Sequence, residues 1–414
     1  MNSPKIGYLT IEFPGPTHIF LWREYNELLK LGVDAELIST RKPPPSIVSH
    51  SWSASAEANT YYMFPFQFSD ALSALRCLFS IRKAGLSRLR QILSDTAELN
   101  LRQKLSLYSM LIASTKVATL AKQRGWSHIH STTCGNAANI AMFTSCFINI
   151  TYSVSLLGPK LEIYGPNQRN KWRFSSFGLF QSHQLLHDAE RKLAGCLPEF
   201  YRFAPVGVNT DVMKRADEYQ PWMGERGCCY LYSCGRLNPI KGHEYVIAAV
   251  RKLCDKGYDV SLTIGGEDID DGTGYRKNIE NCIREHQLED KVTLLGAVSE
   301  EDNRDNLAHA HIYVMGSLDE AAGAVAAMEA MCMLLPVVMP NVGATSELIE
   351  HEKEGLLVEP RQAGQLADCI EQLMHDSDYP IRPGQAGRKK GIKSFNHHLS
   401  AKAIATYLDQ IAMD

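Results

Sequence analysis

Two cations lie where a negatively charged ligand could be bound. Arg236 and Lys241 belong to the segment SCGRLNPIKG (233–242), which leaves a predicted strand near Cys234 and enters a predicted helix near Lys241. Cationic side chains beside the free N–H groups of a helix N-terminus suit phosphate groups. The spacing therefore predicts a diphosphate site, and a solvated basic turn is the alternative.

A second segment, LDEAAGAVAAMEAMCMLLPVV (318–338), follows the predicted strand HIYVMG and begins with small residues. Gly323 and Ala324 should offer unpaired N–H groups to an anion at the helix N-terminus, and Val325 extends this predicted ligand-binding surface. Glu329 lies two turns into the same apolar helix. A carboxylate buried there needs a partner, which could be the hydroxyls of a sugar or ribose, or a neighbouring Lys or Arg.

Two weaker signals are further glycine-containing turns that follow predicted strands. PNVGATSELIE (340–350) leads into a helix, and FPGPTHIF has Gly15 for close approach of a ligand and Thr17 as a helix cap. Together the four loops predict a nucleotide-diphosphate ligand.

No metal site is expected. His128 and His130 share one face of a predicted strand, but no carboxylate completes a ligand set, so we assign them a structural or cleft-lining role. The acidic loop GGEDIDDGTG (265–274) is interpreted as a solvated loop. The absence of GxxxxGK[ST] and GxSxG motifs argues against a P-loop ATPase and an α/β-hydrolase.

The order of elements predicts the scaffold that positions these loops. Strand KIGYLTIEF (5–13), a helix and strand DAELIST (34–40) form a βαβ unit, which requires a parallel sheet. In the second half, short Val/Ile/Leu-rich strands alternate with helices, as in sheets covered on both faces. The sequence predicts an α/β protein with two doubly wound, Rossmann-like domains, 1–210 and 211–392, that face a ligand-binding cleft.

Composition narrows the function. The chain has 414 residues, 45% hydrophobic and 21% charged, with a net charge of −3, which excludes a disordered chain and disfavours a nucleic-acid binder. Eleven cysteines without a CxxC pair suit a reducing cytoplasm. No signal peptide or membrane-spanning run is expected, so we predict a cytoplasmic protein. The basic segment 72–93 is either a solvated helix or a peripheral contact with anionic lipid at the inner face of a membrane.

The motifs also carry a resemblance. GRLNPIKG and EAAGAVAAMEAM…LPVV…VGATSELI…EGLLVEP, in this order across residues 233–360, resemble the donor domain of family 4 glycosyltransferases, which have two Rossmann-like domains (the GT-B fold). IGYLTIEFPGPTHIFLWRE and YGPNQRNKW (164–172) are similar to segments of bacterial polysaccharide-assembly members. The resemblance implies a retaining, metal-independent hexosyltransferase that uses a UDP-, GDP- or ADP-sugar and no cofactor. Its acceptor would be a glycan or lipid-linked glycan, bound by the first domain.

The same resemblance implies roles for particular residues. Arg236 and Lys241 would neutralise the leaving diphosphate, Glu329 would hold the ribose, and Val298 would lie beside the base. Family members carry a second glutamate eight positions before the first, in contact with the donor sugar. Here that position is Ala321, so a one-residue insertion would have to bring Glu320 to this place.

Two further implications concern the first domain. Leu157 stands where members carry a His that contacts the reacting sugar. A C-terminal helix within 393–414 should return to the first domain. Two other functions stay open: a catalytically impaired relative that binds a nucleotide sugar as a partner or regulator, and a sugar-phosphate or nucleotide-sugar epimerase.

Overall fold

The chain forms two compact units. The computed structural model describes residues 4–15, 18–43, 51–66, 68–79, 81–96, 98–158, 160–224, 227–268, 274–375 and 380–413. The first unit holds the N-terminal residues, Trp52–Val206 and the chain from His398, and the second holds Gly207–His397. Each unit contains one parallel sheet with helices between successive strands, which confirms the predicted two-domain α/β class.

Seven parallel strands form the sheet of the first unit, in the order β3-β2-β1-β4-β5-β6-β7. The strands are β1 (Lys5–Glu12), β2 (Asp34–Arg41), β3 (Thr60–Tyr62), β4 (His128–Ser131), β5 (Thr151–Leu156), β6 (Phe177–Phe180) and β7 (Phe200–Phe203). Side chains on both faces of β1, including Ile6 and Leu9, are fully buried. A strand covered on both faces needs a nearly continuous apolar run, as the sequence has here.

In the part of the first unit that the structure describes, eight helices accompany these strands before the chain enters the second unit. The helices are α1 (Ile19–Lys30), α2 (Ser53–Ala58), α3 (Phe68–Phe79), α4 (Lys83–Ser94), α5 (Leu101–Arg124), α6 (Asn136–Phe147), α7 (Gln168–Arg173) and α8 (His183–Lys192). A capping box between Asn100 and Gln103 starts α5, and Gly125, with φ of 74°, ends it.

Six parallel strands form the sheet of the second unit, in the order β10-β9-β8-β11-β12-β13. They are β8 (Cys229–Cys234), β9 (Val260–Gly265), β10 (Val292–Gly296), β11 (Ile312–Val314), β12 (Val337–Pro340) and β13 (Leu356–Val358). The helices are α9 (His243–Asp255), α10 (Arg276–Glu285), α11 (Glu300–His309), α12 (Val325–Cys332), α13 (Thr345–Leu348), α14 (Ala363–His375) and α15 (Ile381–Ser394). Because β8, β11 and β12 are neighbours, the loops at their carboxyl ends lie side by side.

The last helix, α16 (His398–Met413), belongs to the first unit. Its buried Ile404 and Leu408 share a hydrophobic cluster with Leu21 and Leu28 of α1. The Nδ1 atom of its first residue, His398, lies 2.6 Å from Oε1 of Glu27.

The chain passes from the first unit to the second at Gly207 and returns to the first at His398. Val208 donates its N–H to the Phe395 carbonyl (2.7 Å) and accepts from the N–H of His397 (3.1 Å). These hydrogen bonds hold both chain segments in the second unit. The returning helix begins at His398, within the predicted range 393–414.

Candidate functional site at the carboxyl ends of three strands

The loop after β8 is shaped by one side chain and one glycine. Asn238 Oδ1 accepts from the N–H of Lys241 (3.1 Å) and closes a short 3-10 turn, Pro239–Lys241. Gly242 follows with φ of 56°, and a Cβ there would lie 2.0 Å from the carbonyl oxygen of Gly316. Only glycine permits this approach, so the loops after β8 and β11 are in direct backbone contact.

This contact brings Lys241 to the second predicted segment. Its Nζ lies 2.5 Å from Oε1 of Glu320, whose side chain is only 7% exposed. The N–H of Leu318 also donates to the carbonyl of Ile240 (2.7 Å), which fixes the two loops at a second point. Two residues predicted separately for the site thus form a buried ion pair.

The loop after β12 holds the backbone of Glu320. The Glu320 carbonyl accepts from the N–H of Ala344 (2.9 Å) and of Gly323 (3.2 Å). Gly343 has φ of 58°, and a Cβ on it would lie 2.5 Å from the carbonyl carbon of Glu320. The weakly predicted turn at 340–350 therefore positions a site residue.

The predicted role of the Gly323 N–H is wrong in one respect. The chain turns back on itself between β11 and α12, so this N–H donates to the Glu320 carbonyl. It is therefore already paired. α12 begins at Val325 with Ala324 as its N-cap residue. N–H groups of the first helical turn have no intrahelical acceptor.

Glu329 lies at the end of a buried hydrogen-bonded chain. Asn303 Nδ2 donates to Glu329 Oε2 (2.9 Å), and the Tyr232 hydroxyl donates to Asn303 Oδ1 (3.0 Å). Glu329 and Asn303 are 7% and 6% exposed. The amide thus orients the carboxylate from one side.

Burial keeps the neighbouring titratable groups neutral. It raises the pKa of the Cys234 thiol to about 12, with a further rise from the charge of Glu329. It lowers the pKa of His243, at the start of α9, to about 4. The Cys234 thiol and the His243 imidazole therefore add no charge to this edge of the sheet, and the Arg236 side chain there is exposed.

Val298 lies at the same edge. A Cβ on Gly265, at the end of β9, would be 3.2 Å from Val298 Cγ2 and 2.6 Å from the Tyr232 hydroxyl. The absence of a side chain at Gly265 lets these two groups approach the end of the strand. Val298 is thus next to the end of β9.

The predicted residues of the first unit lie in that unit's own loops. Gly15 is buried, and its carbonyl accepts from the N–H of His18 (3.0 Å). Thr17, predicted as a cap, lies outside the described residues. Leu157 directly follows β5 at the carboxyl edge and packs, partly buried, against the apolar cluster that contains Leu21.

The predicted structural role of the histidine pair agrees with its surroundings. His128 and His130 are fully enclosed in the first sheet, and both bond Ser153 Oγ, at 2.7 and 2.8 Å. Burial lowers the pKa of His130 to about 3. Both imidazoles are therefore neutral polar members of the core.

Sequence reasoning missed Tyr232, Asn303 and His243. Asn303 stands in a polar helical segment, EEDNRDNLAH, but four residues before the buried Leu307. That spacing places both on one helix face. The four-residue spacing from Leu307 could therefore have indicated that Asn303 is buried.

Comparison with known proteins agrees with this architecture. Residues 229–390 match the family model described as glycosyl transferases group 1. The fold is that of GT-B glycosyltransferases: HepE from Anabaena, crystallised with UDP and glucose, superposes with a TM-score of 0.69 over 99% of this chain and 98% of its own, at 17% identity. The family match covers the second unit, and the likeness to HepE shows that the whole chain has the same fold.

Two curated relatives match parts of the sequence. A GDP-mannose-dependent alpha-(1-6)-phosphatidylinositol monomannoside mannosyltransferase of Mycobacterium tuberculosis is 26% identical over 218 residues, 50% of this chain and 55% of that protein. The amylovoran biosynthesis glycosyltransferase AmsK of Erwinia amylovora is 31% identical over 188 residues, 44% of this chain and 45% of that protein. The matched part thus spans about half the length of each relative.

Proposed function

We propose that the protein transfers a sugar from a nucleotide-diphosphate sugar to a glycan or lipid-linked glycan in the synthesis of cell-surface polysaccharide. The observation that carries this proposal is the meeting of Lys241, Glu320 and Glu329 around the carboxyl ends of β8 and β11. Support comes from the UDP and glucose held by HepE, and from the nucleotide-sugar and polysaccharide functions in the relatives' names.

The donor would be held mainly by charge. Arg236 is exposed and Lys241 is partly exposed, at 22%, so both can reach a diphosphate at the strand ends. Charge on the leaving diphosphate grows in the transition state, and fixed cations stabilise it there. In this proposal Lys241 exchanges part of its interaction with Glu320 for the phosphate.

The remaining contacts follow from burial. The Glu329 carboxylate, oriented by Asn303, accepts hydrogen bonds from the ribose hydroxyls, and Val298 lies beside the base. The small residues Gly323, Ala324 and Val325 let the donor approach the N-terminus of α12. Glu320 then contacts the donor sugar.

We further propose that the transfer retains the anomeric configuration and needs no metal. Two cations beside the diphosphate supply the positive charge that a divalent ion supplies in other transferases. NMR of the product would show the same anomeric configuration as the donor, and chelation with EDTA would leave the rate unchanged. An inverted product would reject the retaining mechanism, and loss of activity with EDTA would reject metal independence.

The first experiment is a donor screen. Thermal stabilisation of the purified protein by UDP-, GDP- and ADP-sugars identifies the base, and nucleotide release from the best ligand then measures turnover. Stabilisation with nucleotide release supports a transferase. No stabilisation by any nucleotide sugar would overturn the proposal.

Leu157 favours a second candidate, a protein that binds a nucleotide sugar without turnover. An apolar side chain packed on the core cannot donate a hydrogen bond to a sugar hydroxyl. Tight donor binding without nucleotide release would support this candidate. Formation of an epimer without free nucleotide would instead support an epimerase.

The proposal includes the cellular location. We place the protein in the cytoplasm, in peripheral contact with the inner face of a membrane through the basic segment 72–93, where a lipid-linked acceptor is within reach. Among the described residues, no helix has the length and apolar content that crossing a membrane requires.

A further inference from the structure

Helix α5 presents a row of apolar side chains to solvent. Their exposed fractions lie between 48% and 74%, for Leu101, Leu105, Tyr108 and Ile112. Spacings of four, three and four residues place them on one face of the helix. We call these four residues the α5 stripe. A helix of a globular protein normally buries such a face.

The stripe belongs to a well-anchored helix rather than to a frayed end. Residues 113–118 of α5 are all buried, and the capping box between Asn100 and Gln103 closes the N-terminus. Leu107 is buried at 4% exposure within the first half. The first unit thus holds the stripe in a fixed orientation.

The neighbouring helix α3 adds two exposed apolar side chains. Cys77 of α3 and Leu111 of α5 share a small hydrophobic cluster, so the two helices pack together. Leu75 and Phe79, on either side of Cys77, are 53% and 89% exposed. Both helices of this packed pair therefore expose apolar side chains.

Positive charge is concentrated around this surface. Residues 71–124 contain ten basic residues (Lys or Arg) and two acidic residues (Asp or Glu). The rest of the chain contains 33 basic and 44 acidic residues. α5 has no acidic residue, and Arg102 and Lys104 lie within its exposed half. Arg76, Arg82 and Lys83 are also exposed.

Not every cation of the basic segment is available. Arg88 lies over the ring of Phe174, at 5.1 Å from its centroid, and donates to Ser145 Oγ (3.3 Å). Leu89 and Ile92 of α4 are buried. The surface suited to a partner is therefore α5 and the end of α3, rather than 72–93 as a whole.

We propose that the α5 stripe, with Leu75 and Phe79, docks on the surface of an anionic lipid bilayer. Apolar side chains would enter the headgroup region while the exposed Arg102 meets the lipid phosphates. The inference deepens the membrane contact of the proposed function, but it does not require sugar transfer. A second copy is a poorer occupant, because two stripes would bring like charges together.

The test is cosedimentation of the purified protein with phosphatidylcholine vesicles, with and without phosphatidylglycerol. Binding should require phosphatidylglycerol. L105S/I112S should lower the partition coefficient by about tenfold or more, because two apolar side chains no longer enter the membrane. R102Q should lower it by about fivefold and weaken its salt dependence.

L29S/L31S is the matched control, since Leu29 and Leu31 are 42% and 46% exposed at the end of α1, outside the proposed surface. This variant should bind vesicles as the wild type does. Circular dichroism and melting temperature establish that all variants are folded.

Three results would overturn the inference: wild type that does not bind anionic vesicles, vesicle binding unchanged in L105S/I112S, or a dimer in sedimentation equilibrium that this variant dissociates. Transfer to a water-soluble acceptor, measured in parallel, tests the proposed function separately. Its loss would leave the docking result intact.

Discussion

The Lys241 ammonium and the Glu320 carboxylate, 79 positions apart in the chain, lie 2.5 Å from each other at the carboxyl edge of the second sheet. Glu320 is nearly fully buried, and a buried carboxylate is stable only with a partner. Lys241, at 22% exposure, keeps contact with solvent and hence with an incoming anion. Lys241 therefore contacts one buried anion, Glu320, and can also contact a second anion that enters from solvent.

Replacing either cation should weaken donor binding. In R236A and K241A, the affinity for a nucleoside diphosphate should fall by about 1.5–3 kcal/mol, the contribution of hydrogen bonds to charged groups. Isothermal titration calorimetry measures this directly. K353A is the control, because Lys353 is an exposed cation of the same unit that pairs with Glu350. Unchanged affinity in both site variants would remove the charge argument for the donor site.

Gly343→Ala should displace Glu320. The new Cβ would lie 2.5 Å from the Glu320 carbonyl carbon on a backbone with positive φ, at a cost of about 1–3 kcal/mol. We expect lower stability and lower donor affinity. In the control Gly364→Ala, at the start of α14, the Cβ meets no atom within 4 Å, and stability should be unchanged or increase. Equal effects of the two substitutions would contradict the proposed contact.

Asn303→Ala should affect both Glu329 and Tyr232. Removing the amide leaves two buried polar groups without their shared partner, which costs about 1–3 kcal/mol of unfolding free energy. Donor affinity should fall as well, since Glu329 is no longer oriented. Asn306→Ala is the comparison on the same helix, where the side chain is partly exposed and donates to the Asp302 carbonyl. Urea unfolding and calorimetry would show no difference between the two variants if Asn303 had no special role.

Acid should destabilise the first unit through His130. Its pKa is about 3 in the folded protein and about 6.5 in the unfolded chain. Between these values the unfolded state binds more protons, so stability is complete above pH 6.5 and is lost as the pH falls. From pH 7 to pH 5 the wild type should lose about 2 kcal/mol more than His130→Asn.

Tryptophan fluorescence during urea unfolding can measure this effect, because four of the five Trp residues belong to the first unit. The control is His187→Asn, at a side chain that is 74% exposed. It should retain the pH dependence of the wild type. A His130→Asn curve parallel to that of the wild type would show that imidazole burial does not control acid stability.

Leu157→His tests the departure from the family pattern. If the protein is an impaired relative, a histidine at the carboxyl edge of β5 should raise donor turnover, because it can donate a hydrogen bond to a sugar hydroxyl. If it is a working transferase, it should prefer a deoxy or otherwise less polar donor sugar. The assay compares both proteins on hexose and deoxyhexose donors. High wild-type turnover of an ordinary hexose, reduced by the substitution, would reject both explanations.

The scaffold could be predicted because it has local signatures, and the same signatures indicated where candidate site residues lie. Short apolar strands alternate with helices, and each carboxyl end carries a turn with glycine or charge, so Lys241 and Glu320 could each be assigned to such a turn. Their pairing could not be predicted, because it depends on β8 and β11 being neighbours in the sheet. Local patterns do not contain strand order.

The Gly323 N–H could not be assigned for the same reason. It was expected to be free, but local sequence cannot show that the chain turns back to the Glu320 carbonyl. The hydrogen bonds of Val208 with residues near Phe395 are a second case, because they join segments that only the folded chain brings together.

The position of α16 has a consequence for biosynthesis. The strands of the first unit have all been synthesised once β7 is made, yet Ile404 and Leu408 of its core follow roughly 200 residues later, a delay of about 10–40 s at ordinary translation rates. During that interval the apolar surface of α1 has no covering helix, while the second unit is already being made. The first of the two units to begin is therefore the last to be completed, and chaperones and proteases can reach that apolar surface throughout the delay.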